Sequence, residues 1–543
     1  MIGAHRVGCS AMFRHASWVI ALAGLLIAQD PGVIRIDTRL VQVNVVVHNK
    51  DGTPVADLTK DDFTLLDGGK PRSISFFSVD RNNAPRAAAP KLPPNAFAND
   101  PAYESNRPAN LTIVLLDGAN TKLADQSYAR QQLTKFLNAI KPDDKVALYA
   151  LGAQLRIVQD FTGDRAQLLR SAAKSTGATN GDLAAEAMKS PTTGVAVIDA
   201  ILREMDAAFA DQMQAARIRR SYQALAAIAD HVAQVPGRKN LVWLSSAFPL
   251  MMHLDDPGAF RNARRVKDAF ADERERATRA LVKADVAIYP VDARGLIGVP
   301  PSMTADASSS GRTRTSLPAA VMKEAAEGIE AMDELAAETG GRAFHDSNDL
   351  AAAVQSAVDD SAVTYTLGFY PDPDRLDGKF HELTVKLKRK GVNVRFRKGY
   401  VAYRDAAPSP GQSDAAIQTA LWSPLPATGI AIGGRAERAP NSVQLAAIAD
   451  AHQLRMIQNA DRWIGKLDVT FAQLDDSGRV LDTKRDVVNL HLDETTHAEI
   501  MKTGLLLTRT LQPEDAASQI RVILYDYSTG ALGSLIIPLA SVK

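Results

Sequence analysis

Residues 111–121 read LTIVLLDGANT, and this stretch decides the fold. Six apolar or β-branched residues run without interruption from Leu111 to Leu116, and the run ends at Asp117. A continuous run of this kind predicts a central strand that is buried on both faces of a parallel sheet. The polar residues from Asp117 to Thr121 would then lie at the carboxyl end of the sheet, where open α/β folds bind ligands.

Helices are predicted to alternate with such strands after this loop. The first helix, Ala124–Ile140, carries one apolar stripe made of Ala129, Leu133, Phe136, Leu137 and Ile140. Two later helices are predicted at Val195–Phe209, which carries Val197, Ile198, Ile201, Leu202 and Met205, and at Ala215–Val235. Further strands are predicted at Lys145–Leu151, Asn240–Ser245 and Val286–Val291. Strands that alternate with helices indicate a mostly parallel sheet covered on both faces.

Several stretches share the order and spacing of a known family. They are Asp117-x-Ala119-x-Thr121, KVALYALG, GVAVIDAIL, KNLVWLSSAFP, ADVAIYPVDARGL and LAAETGGRAFHDSNDLAAAV. The first resembles the D-x-S-x-S loop of von Willebrand factor type A domains, and the others are similar to that family's strands and helices. This resemblance covers residues 108–403. The flanking stretches, beginning TRLVQVNVVVH and YTLGFYPDPDRLDG, resemble the VWFA-related group found widely in acidobacteria.

The predicted architecture is α/β: a doubly wound, mostly parallel sheet of von Willebrand A type between two β modules. A chain of 543 residues exceeds the size of one hydrophobic core and therefore predicts several domains. We expect a signal peptide at 1–29, an N-terminal β module at 33–81 and a linker at 82–108. The von Willebrand A-like domain with an appended β-hairpin follows at 109–403. A second linker at 404–416 leads to a C-terminal β-sandwich-like domain at 417–543.

The N-terminus has the form of an export signal. Basic residues precede an apolar run from Trp18 to Ala28, which is shorter than the ~20 residues that a membrane span needs. We therefore expect export to the periplasm, cell envelope or extracellular space, with no transmembrane helix after signal removal. The single cysteine, Cys9, lies in the signal, so the mature chain would contain no disulfide.

Composition and motifs narrow the function. The net charge is +1, which gives no electrostatic support for nucleic-acid binding. Phosphate-binding, dinucleotide-binding, zinc-protease and serine-hydrolase motifs are missing from the sequence. We therefore expect no enzyme activity. A hydrolase with an unfamiliar site is the alternative, and it would require a pocket of convergent titratable groups away from Asp117.

The one candidate site is the strand-end cluster, which comprises Asp117, Asn120, Thr121, Ser245 and Ser246. In the family that the chain resembles, this loop, a threonine and an aspartate hold a Mg²⁺-type ion through oxygen ligands. Here Ala119 replaces a serine, Val195 aligns with the threonine and Ser246 aligns with the aspartate. The resemblance thus implies a degenerate metal site, with no cofactor expected beyond weak binding of Mg²⁺. Asp117 could instead be structural, with its carboxylate bonded to loop amides.

The resemblance implies a protein that binds a protein or another cell-surface macromolecule. Its predicted contact surface is made of the loops Asp117–Thr121, Ser175–Gly194 and Ser245–Met252. Two alternatives remain open from the residues: a metal-dependent adhesion receptor that uses Asp117, and an envelope scaffold without a discrete site. The sequence leaves the oligomeric state undetermined.

Overall fold

The computed structural model describes residues 40–81, 91–103, 111–140, 144–174, 190–235, 237–248, 270–294, 319–345, 349–360, 362–372, 380–401 and 410–543. The predicted signal peptide, residues 175–189 and residues 249–252 lie outside this part of the chain. None of the described helices combines the length and the apolar character that crossing a membrane requires.

The described residues form strands and helices with the following bounds. The strands are β1 Val41–Asn49, β2 Phe63–Asp67, β3 Lys70–Arg72, β4 Phe76–Arg81, β5 Ala96–Ala98, β6 Leu111–Asp117, β7 Val146–Leu151, β8 Leu155–Thr162, β9 Lys239–Ser245, β10 Val286–Asp292, β11 Val363–Phe369, β12 Phe380–Leu387, β13 Val392–Arg395, β14 Gly399–Val401, β15 Ile432–Ala439, β16 Ser442–Ala449, β17 Ile457–Asn459, β18 Arg462–Leu474, β19 Val480–Leu492, β20 Leu505–Leu511, β21 Gln519–Asp526 and β22 Leu532–Pro538. The α-helices are α1 Leu123–Ala139, α2 Arg165–Lys174, α3 Ala196–His231, α4 Ala271–Ala284, α5 Ala319–Thr339, α6 Leu350–Asp360, α7 Pro410–Trp422 and α8 Glu494–Thr503.

A mixed five-stranded sheet forms the centre of the α/β part. Its strand order is β10-β9-β6-β7-β8. Strands β7 and β9 run parallel to β6 on either side of it, β10 runs parallel to β9, and β8 is antiparallel to β7. Alternate side chains of β6 enter two different cores: Ile113 and Leu115 lie in one, and Val114 lies in the other. The uninterrupted apolar run of β6 follows from this burial on both faces.

Helices cover both faces of this sheet. Apolar side chains of α3, α4 and α5, such as Leu225, Leu281 and Leu335, pack on the first face. Side chains of α1, α2 and α6, such as Phe136, Leu168 and Val354, pack on the second.

Strands from both sides of the α/β part in sequence form a β-sandwich. Its two sheets have the orders β13-β1-β11-β4 and β14-β12-β2-β3, and they enclose a core that includes Phe63 and Tyr365. The sequence predicts a separate module that contains β1 to β4 and an appended hairpin in the segment that contains β12 and β13. In the structure, β12 and β13 lie in different sheets, and β11 pairs with β1 and β4. Alternation identifies a strand but does not identify its partner, which explains the difference.

Buried charged groups join the sandwich to the α/β part. Arg238, which is 2% exposed, donates to the Tyr289 hydroxyl at 3.0 Å. That hydroxyl donates to Asp360 at 2.7 Å. Arg395 of β13 donates to the other oxygen of the same carboxylate, and His48 of β1 lies 3.7 Å from it. The interface is therefore held by paired charges, whose separation would leave buried ions without partners.

The C-terminal part is a second sandwich. One sheet has the order β20-β16-β15-β5, and the other has β17-β18-β21-β22 with β19 paired to β18. A single apolar core that includes Leu445, Phe471 and Val522 lies between the sheets.

Both predicted linkers contain regular structure. Strand β5 lies within the predicted linker 82–108 and pairs with β15. Asn99 then donates to the carbonyl oxygens of Ala427 and Ile430 and accepts from the amide of Ile432. In the predicted linker 404–416, helix α7 already begins at Pro410. Proline suits the first turn of a helix, because its missing N–H group would have no helical partner there. The sequence pattern does not reveal β5, because a strand of three residues is too short to show periodicity.

The two helices predicted at Val195–Phe209 and Ala215–Val235 are one helix, α3, of 36 residues. Burial of its side chains begins at Arg217, so only the C-terminal half packs on the sheet. Ile198, Ile201 and Met205, which are among the apolar residues of the predicted helix Val195–Phe209, are 46%, 53% and 61% exposed.

Arg521 of β21 links the second sandwich to α7. Its side chain is buried, and Nη1 donates to the carbonyl oxygens of Ala420, Leu421 and Ser423 at the end of that helix. Burial lowers the pKa of this guanidinium to about 10. A cation at a helix C-terminus also interacts favourably with the helix dipole.

We expect Arg521→Met to lower the free energy of unfolding by about 1–3 kcal/mol, because it leaves buried carbonyl groups without a donor. Urea unfolding followed by circular dichroism would measure the change. The matched control is Arg479→Met, since the Arg479 side chain is 72% exposed and should matter by less than about 0.5 kcal/mol. Equal midpoints for the two variants would contradict the role given to Arg521.

Candidate functional site

The candidate site lies where the chain order of the central sheet reverses. From β6 the chain moves to β7 on one side, and it later returns to β9 on the other side. Leu116 of β6 is in register with Leu244 of β9, so Asp117 and Ser245 are the next residues on adjacent strands. A crevice at the carboxyl ends of two such strands is the usual ligand position in open α/β sheets.

Asp117 is the centre of the cluster. Its side chain is 2% exposed, and Oδ1 accepts from the Asn120 amide at 3.0 Å. Oδ2 accepts from Asn120 Nδ2 and Trp243 Nε1, each at 2.9 Å, and lies 2.9 Å from Ser245 Oγ. The pKa of this carboxyl group is raised, because the effect of burial exceeds the opposing effect of the hydrogen bonds from Asn120, Trp243 and Ser245. Both carboxylate oxygens are therefore occupied by protein donors.

Asn120 connects the loop to helix α3. Its Nδ2 group donates to Asp117 Oδ2 and also to Ser221 Oγ at 3.0 Å. Ser221 is 1% exposed and lies on the half of α3 that packs on the sheet. The loop after β6 is thus fixed to the helix as well as to β9.

Thr121 and Ser246 join the two strand-end loops. The amide of Ser246 donates to Thr121 Oγ1 at 3.2 Å, and the amide of Lys122 donates to Ser246 Oγ at 3.2 Å. Ser246 Oγ donates to the Asn120 carbonyl at 3.3 Å. Ala119 is fully buried, and its amide donates to the Leu151 carbonyl at 3.0 Å.

All five residues of the predicted site come together at this edge. They are also buried, with exposed fractions of 0–7% for Asp117, Asn120, Thr121, Ser245 and Ser246. The polar atoms of these five residues hydrogen-bond inside the two loops. Among the loop residues whose side chains the structure describes, Lys122 and Ala247 are exposed.

Val195 is not part of the cluster. It lies at the start of α3, and Ser221, which contacts Asn120, is 26 positions later on the same helix, or about 39 Å along its axis. The alignment that put Val195 in the position of a ligand threonine is therefore wrong.

Two residues of the site, Trp243 and Ser221, were not identified from the sequence. Trp243 looked like an ordinary apolar residue of a buried strand, and Ser221 looked like a polar residue of an amphipathic helix. Each takes its role from a buried partner: Trp243 donates to Asp117 Oδ2, and Ser221 Oγ accepts from Asn120 Nδ2. No sequence pattern contains that information.

Asp292 ends the neighbouring strand, β10, and its hydrogen bonds are formed with Arg294. Its carboxylate accepts from the backbone amide and the guanidinium of Arg294, at 2.7–3.1 Å. In the described part of the chain, no group of three or more His, Cys, Asp or Glu side chains could hold a metal ion.

A small pocket lies beside the cluster. It has a volume of about 40 Å³ and is lined by residues that include Gly118, Thr121, Gln126, Arg130 and Leu151. Pockets for drug-sized molecules enclose roughly 300–1,000 Å³, so this one could accept a single side chain or a few water molecules.

Comparisons with known proteins give only distant likenesses. No protein-family model and no curated protein matches the chain. Similar solved structures include an aerotolerance-related membrane protein from Bacteroides fragilis, with 13% identity, 46% of this chain and 98% of that chain covered, and a TM-score of 0.22. They also include BatB from Bacteroides thetaiotaomicron, with 12% identity, coverage of 47% and 98%, and a TM-score of 0.19.

A third similar structure contains three N-terminal domains of the type V pili tip protein Mfa5 from Porphyromonas gingivalis. Its identity is 9%, its coverage is 86% of this chain and 77% of that chain, and its TM-score is 0.25. Likenesses at this level carry no argument about function, so the functional inference depends on the geometry of the site.

We expect Asp117→Ala to lower the free energy of unfolding by about 3 kcal/mol, because it leaves several buried donors of Asn120, Trp243 and Ser245 unpaired. Urea unfolding followed by tryptophan fluorescence would measure this. Asp125→Ala is the matched control: Asp125 lies in the first turn of α1, where its charge should contribute only about 0.5 kcal/mol through the helix dipole. Similar losses for the two variants would refute the structural role of Asp117.

Proposed function

We propose that the protein binds another protein or a cell-surface macromolecule through a von Willebrand A-type α/β part, and that it catalyses no reaction. The observation that carries this proposal is the position of the cluster around Asp117 at the point where the strand order reverses. Folds of this kind place their ligands there. The proposal also includes export, for which the basic start and the apolar run from Trp18 to Ala28 are the support.

The shape of the site favours a macromolecular partner. The polar side chains of the cluster are buried, and the pocket of about 40 Å³ has no room for a typical metabolite. What the loops offer to a partner is a surface that includes Lys122 and Ala247. The internal hydrogen bonds hold this surface in one conformation, and a preformed surface reduces the entropy lost on binding.

We further propose that Mg²⁺ binds weakly at most. Asp117 Oδ2 already accepts from the indole N–H of Trp243, a group that can only donate. A cation at this oxygen would face the positive end of that N–H dipole. Ala119 supplies no side-chain oxygen, and Ser246 supplies no charge to offset the lost hydration of the ion.

Thermal unfolding tests the metal proposal. An ion present at about 100 times its dissociation constant would stabilise the fold by about 2.7 kcal/mol, which corresponds to several degrees. We expect almost no difference between excess EDTA and millimolar Mg²⁺. The double variant Ala119→Ser with Ser246→Asp should gain a shift that Asp117→Asn removes. A clear shift in the unmodified protein that Asp117→Asn abolishes would favour the metal-dependent receptor instead.

Exposed loop residues provide the test of binding. Lys122→Glu combined with Ala247→Arg changes the charge and the shape of the strand-end surface while the buried hydrogen bonds remain. We expect proximity labelling from the full chain in envelope fractions to lose its main partner with this variant. Lys484→Glu, on the exposed face of β19, is the control and should leave labelling unchanged. Loss of the partner with Lys484→Glu alone would move the binding surface to the second sandwich.

A further inference from the structure

The interface between the first sandwich and the α/β part lies at the edge of the central sheet opposite the candidate site. Arg238 directly precedes β9 and Asp285 directly precedes β10, so both residues are at the amino ends of these strands. Across the interface, the amide of Lys398 donates to the Ala337 carbonyl of α5 at 2.8 Å. Asn44 of β1 donates to the Asp285 carboxylate. This interface is therefore separate from the strand-end loops.

His48 of β1 is buried in this interface. The residue is 5% exposed, its Nδ1 lies 3.3 Å from Arg395 Nη2, and its Nε2 lies 3.7 Å from Asp360 Oδ1. Because Arg395 can only donate, Nδ1 accepts, and the neutral ring carries its hydrogen on Nε2. Histidine is the side chain whose charge ordinarily changes between pH 5 and 8. The interface therefore contains a group that acid can change while its carboxylates remain ionised.

The charged groups around His48 balance one another. The titratable groups that face it from the neighbouring elements are Asp359 and Asp360 of α6, Arg395 of β13, Arg238 before β9 and Tyr289 of β10. The hydroxyl of Tyr289 is neutral, because burial raises its pKa. The turn that pairs with His48 through Pro54 adds the exposed and opposite charges of Lys50 and Asp51. A proton on His48 would therefore add a cation that has no anion of its own.

Burial also opposes a proton on His48. Burial is the largest cause that lowers the pKa of His48 below the ordinary value of about 6.5, and the charge of Arg395 lowers it further. The charges of Asp360 and Asp359 act in the opposite direction. A lowered histidine pKa means that the closed interface prefers the neutral ring. The free energy that holds the interface closed is thus fully present above about pH 6.5 and decreases as the pH falls below it.

We propose that this interface is an acid-sensitive switch, in which a proton on His48 loosens the attachment of the first sandwich to the α/β part. The protonated Nδ1 faces the Arg395 donor, and the imidazolium gains hydration only when the interface opens. One proton changes the opening equilibrium by at most tenfold for each pH unit. The switch does not depend on the proposed binding function, because the two sites lie at opposite edges of the sheet.

Backbone hydrogen exchange of the full chain at pH 7.5 and pH 5.5, followed by mass spectrometry, tests this proposal. The reporter is the peptide that contains the Lys398 amide, which donates across the interface. After correction for the intrinsic effect of pH on exchange, we expect this peptide to exchange at least about threefold faster at pH 5.5. Peptides from β21 in the second sandwich should show no such change.

Neutral replacements of His48 provide the second arm. His48→Asn puts a carbonyl oxygen near the position of Nδ1, where it can accept from Arg395 without titrating, so the acid effect should disappear. His48→Gln is the second neutral replacement, in case the first variant does not fold. The matched control is His452→Asn in the second sandwich, where the His452 side chain is 46% exposed, and it should keep the acid effect.

Exchange at the imidazole carbon of His48 measures its protonation without any substitution, and its midpoint should lie below the ordinary value of about 6.5. A midpoint at or above that value would overturn the proposal. So would an unchanged Lys398 peptide at pH 5.5, or an acid effect of equal size in a folded neutral variant of His48. Equally faster exchange in the β21 peptides would show that acid loosens the whole chain and not this interface.

Discussion

A buried carboxylate needs donors on every side, and this requirement at Asp117 organises the centre of the molecule. Its two oxygens are contacted by Asn120 in the loop after β6 and by Trp243 and Ser245 of strand β9. Through Asn120, the same set of hydrogen bonds reaches Ser221 on α3. The edge of the sheet is therefore a closed network, in which the loss of one member leaves the others unsatisfied.

The same principle governs the contact between the first sandwich and the α/β part. Arg238, Tyr289, Asp360 and Arg395 form a chain of hydrogen bonds across this interface. Arg395 can only donate, so its contact of 3.3 Å with His48 Nδ1 requires that nitrogen to accept. Burial lowers the pKa of His48, which agrees with a neutral ring beside the guanidinium. If His48 Nδ1 were protonated, its N–H group and the N–H group of Arg395 would face each other with no acceptor between them.

Much of the α/β part could be predicted from the sequence, because its signals are local. The apolar run of β6 is a pattern within one short window. The grouping of Asp117 with Ser245 follows because each residue ends a buried strand of the same parallel sheet. The pairing of β1 with β11 could not be predicted, since it joins residues about 320 positions apart and alternation does not specify a partner. The exposure of Ile198, Ile201 and Met205 on α3 could not be predicted for another reason: the spacing of apolar residues indicates a helix but does not show whether another element covers them.

Strand order has a consequence for how the chain is made. Strand β5, at residues 96–98, hydrogen-bonds to β15, which begins at residue 432. A ribosome that adds about 5–20 residues per second would need roughly 15–70 s to supply the partner of β5. During that time β5, and before it β1 and β4, have exposed edges that could pair with another chain. The edges of the earliest strands are therefore covered by their partners only once the last third of the chain has been made.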